Sequence, residues 1–239
     1  MSRIKRAIIM AAGLGNRMQP VTFTTPKPLI KVNGKRMIDT IVEALHQNGI
    51  YEIYVVVGYK KEEFYKWAEN IEGLKLIEND LYDQCNNISS LYAARDFIGE
   101  SIILDGDQII YNYKILNTQF TKSGYSCIWT ESQTDEWLMS VDENKKVISC
   151  SRTGGKNGWQ LFSISRWTKE DGEKLKKYLE LEFINKKNTK IYWDDVAMFC
   201  YPEKFDLTIY PISKTDIIEI DSFEELCKID KSYKKLYRK

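Results

Sequence analysis

Three short stretches of this 239-residue chain carry residue types that can do chemistry on phosphates. In the first, the apolar run Ala7-Ile8-Ile9-Met10 leads through Ala11-Ala12 into Gly13-Leu14-Gly15, with Arg17 two residues on. Glycines let the backbone curl and turn its N–H groups toward an anion. An arginine beside them adds a planar, bidentate donor suited to phosphate oxygens. In the second, Pro26-Lys27-Pro28 fixes a lysine between two prolines, so its ammonium can be aimed with little entropy lost on binding. In the third, Asp105-Gly106-Asp107 closes the apolar run Ile102-Ile103-Leu104. Two acids one residue apart share a face if extended, and such carboxylates suit magnesium, a hard cation that brings phosphates with it. Each stretch has a plainer reading. Gly-x-Gly with an arginine can be an ordinary strand turn, and Asp-Gly is a common turn dipeptide. Gly13-x-Gly15 lacks the third glycine of a dinucleotide fingerprint, and no Gly-Lys-Ser/Thr is present for a Walker loop. The combination of loop, arginine and clamped lysine favours phosphate binding.

The elements that must position these residues follow from hydrophobic period. Ala7–Met10, Ile53–Val57, Leu74–Ile77 and Ser101–Leu104 read as strands buried on both faces. Met37–Asn48, Lys61–Ile71 and Ser89–Phe97 between them carry helical spacing. Repeated strand–helix order predicts right-handed crossovers and an open, doubly wound, mostly parallel α/β sheet, whose ligands bind beyond the carboxyl ends of its strands. From about residue 111 the pattern changes. Tyr125–Thr130, Trp137–Val141, Lys146–Cys150 and Trp159–Ile164 are short, aromatic or β-branched, and read as mixed or antiparallel strands. Thr168-x-x-Asp171 and Ser222-x-x-Glu225 read as helix starts in which the acid reaches back to the cap. The basic tail from Lys231 reads as frayed. The expectation is one domain over 1–239: a nucleotide-binding half (1–110), a substrate-binding half with a small mixed α/β lid (about 111–200), and a return to the core (201–230).

Composition narrows the class. Lys plus Arg is 35 against 34 Asp plus Glu, a net charge of +1, so no global attraction draws the chain to nucleic acid or to an anionic membrane. Five scattered cysteines without a C-x-x-C pair argue against a disulfide framework or a zinc site. His46 is the single histidine, which excludes His-ligated metal clusters and disfavours a Ser-His-Asp triad. The basic N-terminus is followed by an apolar run too short for a signal peptide or a membrane span, so a cytoplasmic protein is expected.

Ala11-Ala12-Gly13-Leu14-Gly15-Asn16-Arg17, Pro20, Thr22 and Pro26-Lys27-Pro28-Leu29 together resemble the signature of the sugar-nucleotidyltransferase-like superfamily. The resemblance implies that loop and arginine hold a triphosphate and that Lys27 stabilises charge during attack. It implies Mg²⁺ on Asp107, with Asp105 beside the nucleotide and a second ligand near the C-terminus, where Asp221 in Ile218-Glu219-Ile220-Asp221-Ser222 matches. Within the superfamily, Asn86-Asn87-Ile88-Ser89-Ser90-Leu91, Asp135-Glu136-Trp137 and Ile191-Tyr192-Trp193-Asp194-Asp195 resemble the CTP:phosphocholine cytidylyltransferases. That branch implies CTP and a small phosphorylated amino-alcohol as substrates, with Asn87 and Ser90 on the nucleotide and Asn86, Trp137, Tyr192, Trp193, Asp194 and Asp195 on the substrate. The chemistry is consistent with this: a quaternary ammonium donates no N–H bonds and is recognised by aromatic faces backed by carboxylates. Asp195, a second acid where an amide is expected, would equally suit a primary ammonium, as in phosphoethanolamine or 2-aminoethylphosphonate. The rival readings are a sugar-1-phosphate nucleotidyltransferase and a nucleotide-sensing domain without catalysis.

Overall fold

The structure is a computed structural model that describes residues 2–238, with side chains described through Leu236. Its central sheet has β1 (Arg6–Ala11) flanked in parallel by β2 (Glu52–Val57) and β4 (Ser101–Asp105), with β3 (Leu74–Glu78) parallel outside β2. β1 shows why these runs are apolar throughout. Ala7, Ile9 and Ala11 pack on one side with α1 (Met37–Gln47) and α2 (Lys61–Ala68). Ile8 and Met10 pack on the other with α3 (Ile88–Ala93) and α4 (Lys169–Glu180). Alternate side chains thus enter two separate cores, and both faces of the sheet are covered, as the strand–helix order predicts.

β5 (Gln108–Ile110) leaves the site loop after β4, and the sheet continues with an antiparallel part. β6 (Gly124–Thr130), β7 (Leu138–Val141), β8 (Val147–Ser151) and the long β9 (Gly158–Trp167) follow, and β10 (Thr208–Pro211) runs parallel to β6. β9 divides one of its edges between two neighbours. Ile164–Trp167 pairs with β4, Gln160 and Trp159 pair with β7, Leu161 N donates to Trp137 O, and residues 162–163 face the gap between them. The cleft described below opens at that gap.

Late chain returns to early chain through β11 (Ile217–Glu219), antiparallel to β5 with Glu219 opposite Gln108. α5 (Phe223–Ile229) follows with a complete capping box: Ser222 Oγ accepts from Glu225 N, and Glu225 Oε2 accepts from Ser222 N. At α4 only half of the expected box forms. Thr168 Oγ1 accepts from Asp171 N, whereas the Asp171 carboxylate accepts from Ser123 Oγ and Lys174 Nζ. The tail is not frayed where it is described: Tyr233 Oη donates to Lys31 O, and Tyr233 and Leu236 pack on the cluster around Met18 and Ile30. His46 stacks on Tyr51, with its Nε2 3.2 Å from Glu72 O. No described helix is long and apolar enough to cross a membrane.

Candidate active site

The glycine loop emerges from the carboxyl end of β1, and the Asp-Gly-Asp turn from the carboxyl end of β4 beside it, where Gly106 N donates to Met10 O. Two glycines let the lysine segment in between. Gly15 has φ +63°, and a Cβ there would lie 3.0 Å from Thr22 Cγ2 and 3.1 Å from Lys27 Cβ. A Cβ on Gly106 would lie 3.0 Å from Pro28 Cγ. The loop is stitched by Thr22 Oγ1 donating to Gly15 O and Tyr59 Oη donating to Thr22 O.

Lys27 is therefore driven into the cluster of acids. Its Nζ lies 2.6 Å from Asp107 Oδ2 and 2.9 Å from Asp221 Oδ1. Burial alone would lower its pKa, but Asp107 and Asp221 outweigh burial and raise it above the ordinary lysine value. Arg17 NH2 reaches Asp221 Oδ1 at 2.9 Å while most of its side chain stays in solvent. Glu225 Oε2 accepts from Asp221 N at 2.7 Å, so the box that starts α5 also fixes Asp221.

Behind the lysine lies a group of carboxylates that sequence reasoning only partly found. Asp105, Asp107 and Glu219 each offer an oxygen within 4.8 Å of the other two. Burial pushes Asp105 up to about 7, helped by Asp107 and opposed by Ser163 and Lys27. Burial, then Asp107 and Asp105, push Glu219 well above the usual carboxylate range. Asp107 Oδ1 is buried without a hydrogen-bond partner among the described residues. Crowded carboxylate oxygens, with one buried acceptor atom unmet, fit a small hard cation.

The cleft holds about 570 Å³ and continues from this cluster along the gap in β9. Ala11, Gly13, Gly15, Arg17, Lys27, Asn87, Asp105, Asp107 and Asp221 line it, as do Trp137, Tyr192 and Asp194. Trp137 and Tyr192 meet edge to face, with centroids 5.7 Å apart. Asp194 lies beside Tyr125. Burial, then Asp105, raise its pKa well above the ordinary value, and neither Asp194 Oδ1 nor Tyr125 Oη completes a well-formed hydrogen bond among the described residues.

Several expected site residues have other work. Trp193 is 3 % exposed and belongs to the core, packed against Tyr125 and Trp167. Asp195 is buried, does not line the cleft, and binds two groups that flank it, the Arg152 guanidinium and the Tyr192 N–H. Asn86 ties the chain to residues 189–190, its N–H donating to Thr189 O and its Nδ2 to Lys190 O. Ser90 Oγ is buried and accepts from Asn79 Nδ2. Ala12 and Leu14 flank the cleft without lining it. Asn87 lines it, though its Oδ1 already accepts from Trp193 N. Conversely, Glu219, Ser163 and Arg152 line the cleft and were not foreseen, because long-range strand pairing and a hairpin turn bring them there.

A glycine loop, an arginine and a lysine set against converging acids at the carboxyl ends of parallel strands define an enzyme that handles nucleoside polyphosphates. The Nucleotidyl transferase family profile matches residues 6–147, and the chain belongs to that family. It is 37 % identical over 234 residues to a 2-aminoethylphosphonate cytidylyltransferase of Lancefieldella rimae, covering 97 % of this chain and 94 % of the relative. Identity to a choline-phosphate cytidylyltransferase of Streptococcus pneumoniae is 32 %, covering 96 % and 98 %. The solved structure of the CTP:phosphocholine cytidylyltransferase from Streptococcus pneumoniae superposes with a TM-score of 0.89 at 31 % identity, covering 96 % of this chain and 99 % of that one. The inositol-1-phosphate CTP transferase from T. maritima, at 16 % identity and a TM-score of 0.75, shares the fold.

Proposed function

We propose that the chain is a magnesium-dependent cytidylyltransferase that joins the CMP unit of CTP to a small phosphorylated or phosphonic amine and releases pyrophosphate. One observation carries this reading: a single cleft is lined by Arg17, Lys27 and the acids and also by Trp137, Tyr192 and Asp194. Full-length likeness to cytidylyltransferases named for 2-aminoethylphosphonate and choline phosphate supports it.

An oxygen of the acceptor's phosphate or phosphonate attacks the α-phosphorus of CTP, and the bond from that phosphorus to the β-phosphate bridging oxygen breaks. The attacking group is already an anion, so no general base is needed and catalysis is positioning and charge neutralisation. The Gly13–Gly15 loop and Arg17 hold the triphosphate. Lys27 exchanges its contacts with Asp107 and Asp221 for oxygens of the transferring group. Mg²⁺ on Asp107 and Asp221, backed by Asp105 and Glu219, would neutralise phosphate charge as a Lewis acid.

Beside Trp137 and Tyr192, a primary ammonium is the head group the geometry favours. Asp194 Oδ1 makes no well-formed hydrogen bond among the described residues, with only the Tyr125 hydroxyl beside it, and a primary ammonium donates N–H bonds whereas a trimethylammonium does not. A cation there also returns this buried carboxylate to its charged form. The second reading, phosphocholine, draws on the Trp137 and Tyr192 rings, which suit a quaternary cation.

The test is a pyrophosphate-release screen of four nucleoside triphosphates against 2-aminoethylphosphonate, phosphoethanolamine, phosphocholine and glucose-1-phosphate. Turnover is expected with CTP and the amines. Turnover with glucose-1-phosphate and none with the amines would replace this reading by the sugar-phosphate one, and no turnover with any pair would favour a sensor.

A further inference from the structure

Arg152 stands in the turn between β8 and β9, and the turn is anchored. Thr134 and Gly155 exchange both backbone hydrogen bonds, at 2.8 and 2.9 Å, which ties it to the strand entry that carries Trp137. Gly154 has φ +69°, and a Cβ there would lie 1.9 Å from Thr134 O, so the close approach requires glycine. The guanidinium is held at its far end too. Its NH2 donates to Asp195 Oδ1 at 2.5 Å, and Asp195 Oδ2 accepts from Tyr192 N at 2.8 Å. One buried carboxylate thus clamps a wall of the head-group pocket to the arginine.

What the arginine covers is a third ring. Tyr192, Trp137 and Phe199 form a row, each neighbouring pair edge to face at 5.7 and 5.4 Å. Arg152 Cζ sits 3.9 Å from the Phe199 centroid and 6.0 Å from that of Trp137. Arg152 lines the cleft and Phe199 does not.

We propose that Arg152 and Asp195 are a specificity-determining pair: Arg152 withholds the Phe199 face from the acceptor's head group, and Asp195 neutralises the arginine, so that the pocket selects a primary ammonium over a trimethylated one. This rests on the amine-acceptor reading above. Trimethylammonium groups gain from each added aromatic face, whereas a primary ammonium gains from donors' partners such as Asp194. An arginine over the third ring removes a face without removing a carboxylate from the cleft. Left without Asp195, the same arginine would repel any cation beside Trp137. Both are positioning residues, since neither needs to touch the reacting atoms.

The experiment compares wild type, Asp195→Asn, the double variant Arg152→Ala with Asp195→Asn, and the double variant Arg152→Met with Asp195→Asn. Acceptors are two matched pairs that differ only in N-methylation, phosphoethanolamine with phosphocholine and 2-aminoethylphosphonate with its trimethyl derivative, plus neutral 3,3-dimethylbutyl phosphate. The alanine double variant uncovers Phe199 with no change in net charge. It should raise the methylated-to-primary ratio of kcat/KM by roughly three- to thirtyfold, the span of one cation–π contact, without moving KM for CTP. The methionine double variant keeps an apolar chain over Phe199, and its ratio should stay near wild type. Asp195→Asn alone leaves Arg152 uncompensated and should depress all cationic acceptors severalfold while sparing the neutral one. An unchanged ratio in the alanine double variant, or equal effects of Asp195→Asn on charged and neutral acceptors, overturns the proposal. If the alanine variant does not fold, Asp195→Asn carries the test. Wild type that uses none of the amines would instead overturn the amine-acceptor reading.

Discussion

Lys27 and Asp107, 80 residues apart in the chain, meet at 2.6 Å, and Asp221 closes on the same ammonium from the opposite end of the sequence. Lys27, Arg17 and the acids are therefore already engaged with one another before any substrate arrives. Substrate binding must exchange those contacts rather than fill an inert space, and the consequences differ from residue to residue.

Asp107→Asn and Asp221→Asn should each cut turnover by about a hundredfold or more, the scale seen when one electrostatic contributor is removed from a transition state. Thermal melting should change little, because Lys27 retains the other partner in each variant. Glu225→Ala should cost about 1 kcal/mol of stability through the lost cap and raise the Mg²⁺ concentration needed for half-maximal rate, because Glu225 orients Asp221. Titration of rate against Mg²⁺ with melting in parallel checks all three. A normal rate and Mg²⁺ response in Asp221→Asn would remove Asp221 from the metal site.

The two loop glycines should part company. Gly15→Ala places a side chain at φ +63° against Lys27 and Thr22, and should cost about 1–2 kcal/mol and lower kcat as Lys27 is displaced. Gly13 has nothing within 4 Å of a built Cβ, so Gly13→Ala should leave melting unchanged and raise KM for CTP by crowding the cleft. Equal effects of the two substitutions on melting would refute this account of the loop.

Without metal, stability should fall as pH rises through the window that Asp105 controls. Its carboxyl is held at about 7 in the folded chain against 3.8 ordinarily, so between about pH 4 and pH 7 the folded state keeps a proton that the unfolded chain has released. Raising the pH across that range therefore favours unfolding, and above it the contribution of Asp105 itself is constant. Asp105→Asn should flatten this part of the melting-temperature profile. Added Mg²⁺ should stabilise the wild type more at pH 8 than at pH 5, where the acids hold their protons. Parallel profiles for wild type and Asp105→Asn would contradict the assignment.

Two neighbouring tryptophans should fail differently. Trp193→Ala empties a core position and should cost about 3–5 kcal/mol. Trp137→Ala should melt near wild type and lose a few-fold to about thirtyfold in kcat/KM for the amine acceptor, with KM for CTP unchanged. Thermal melts and initial rates with both substrates varied separate the cases.

The parallel half was legible because three of its four strands are buried on both faces and its loop residues are contiguous: Ala7–Met10, Ser101–Leu104 and Pro26-Lys27-Pro28 announce themselves without knowledge of the rest, whereas Leu74–Glu78, expected to be buried likewise, is a half-exposed edge strand. The head-group end was not. Tyr192 and Trp193 are adjacent aromatics, and nothing local says which one the backbone turns into the core. Glu219 reaches the acids only through pairing with Gln108, 111 positions earlier, and Ser163 and Arg152 depend on how β9 divides its edge. Half of the α4 capping box failed because Ser123 and Lys174 compete for Asp171.

The divided edge of β9 has an evolutionary reading. Its Ile164–Trp167 half is locked into the sheet beside β4, while its Gly158–Gln160 half belongs with β7 and the turn that carries Arg152. The strand that ends in Asp105 borders one half, and the hairpin that carries Trp137 and Arg152 borders the other. On the proposed reading, changes in the outer hairpin would retune which acceptor is taken while the acid cluster is inherited untouched, so that one scaffold could radiate into a set of enzymes that share a reaction and differ in cargo.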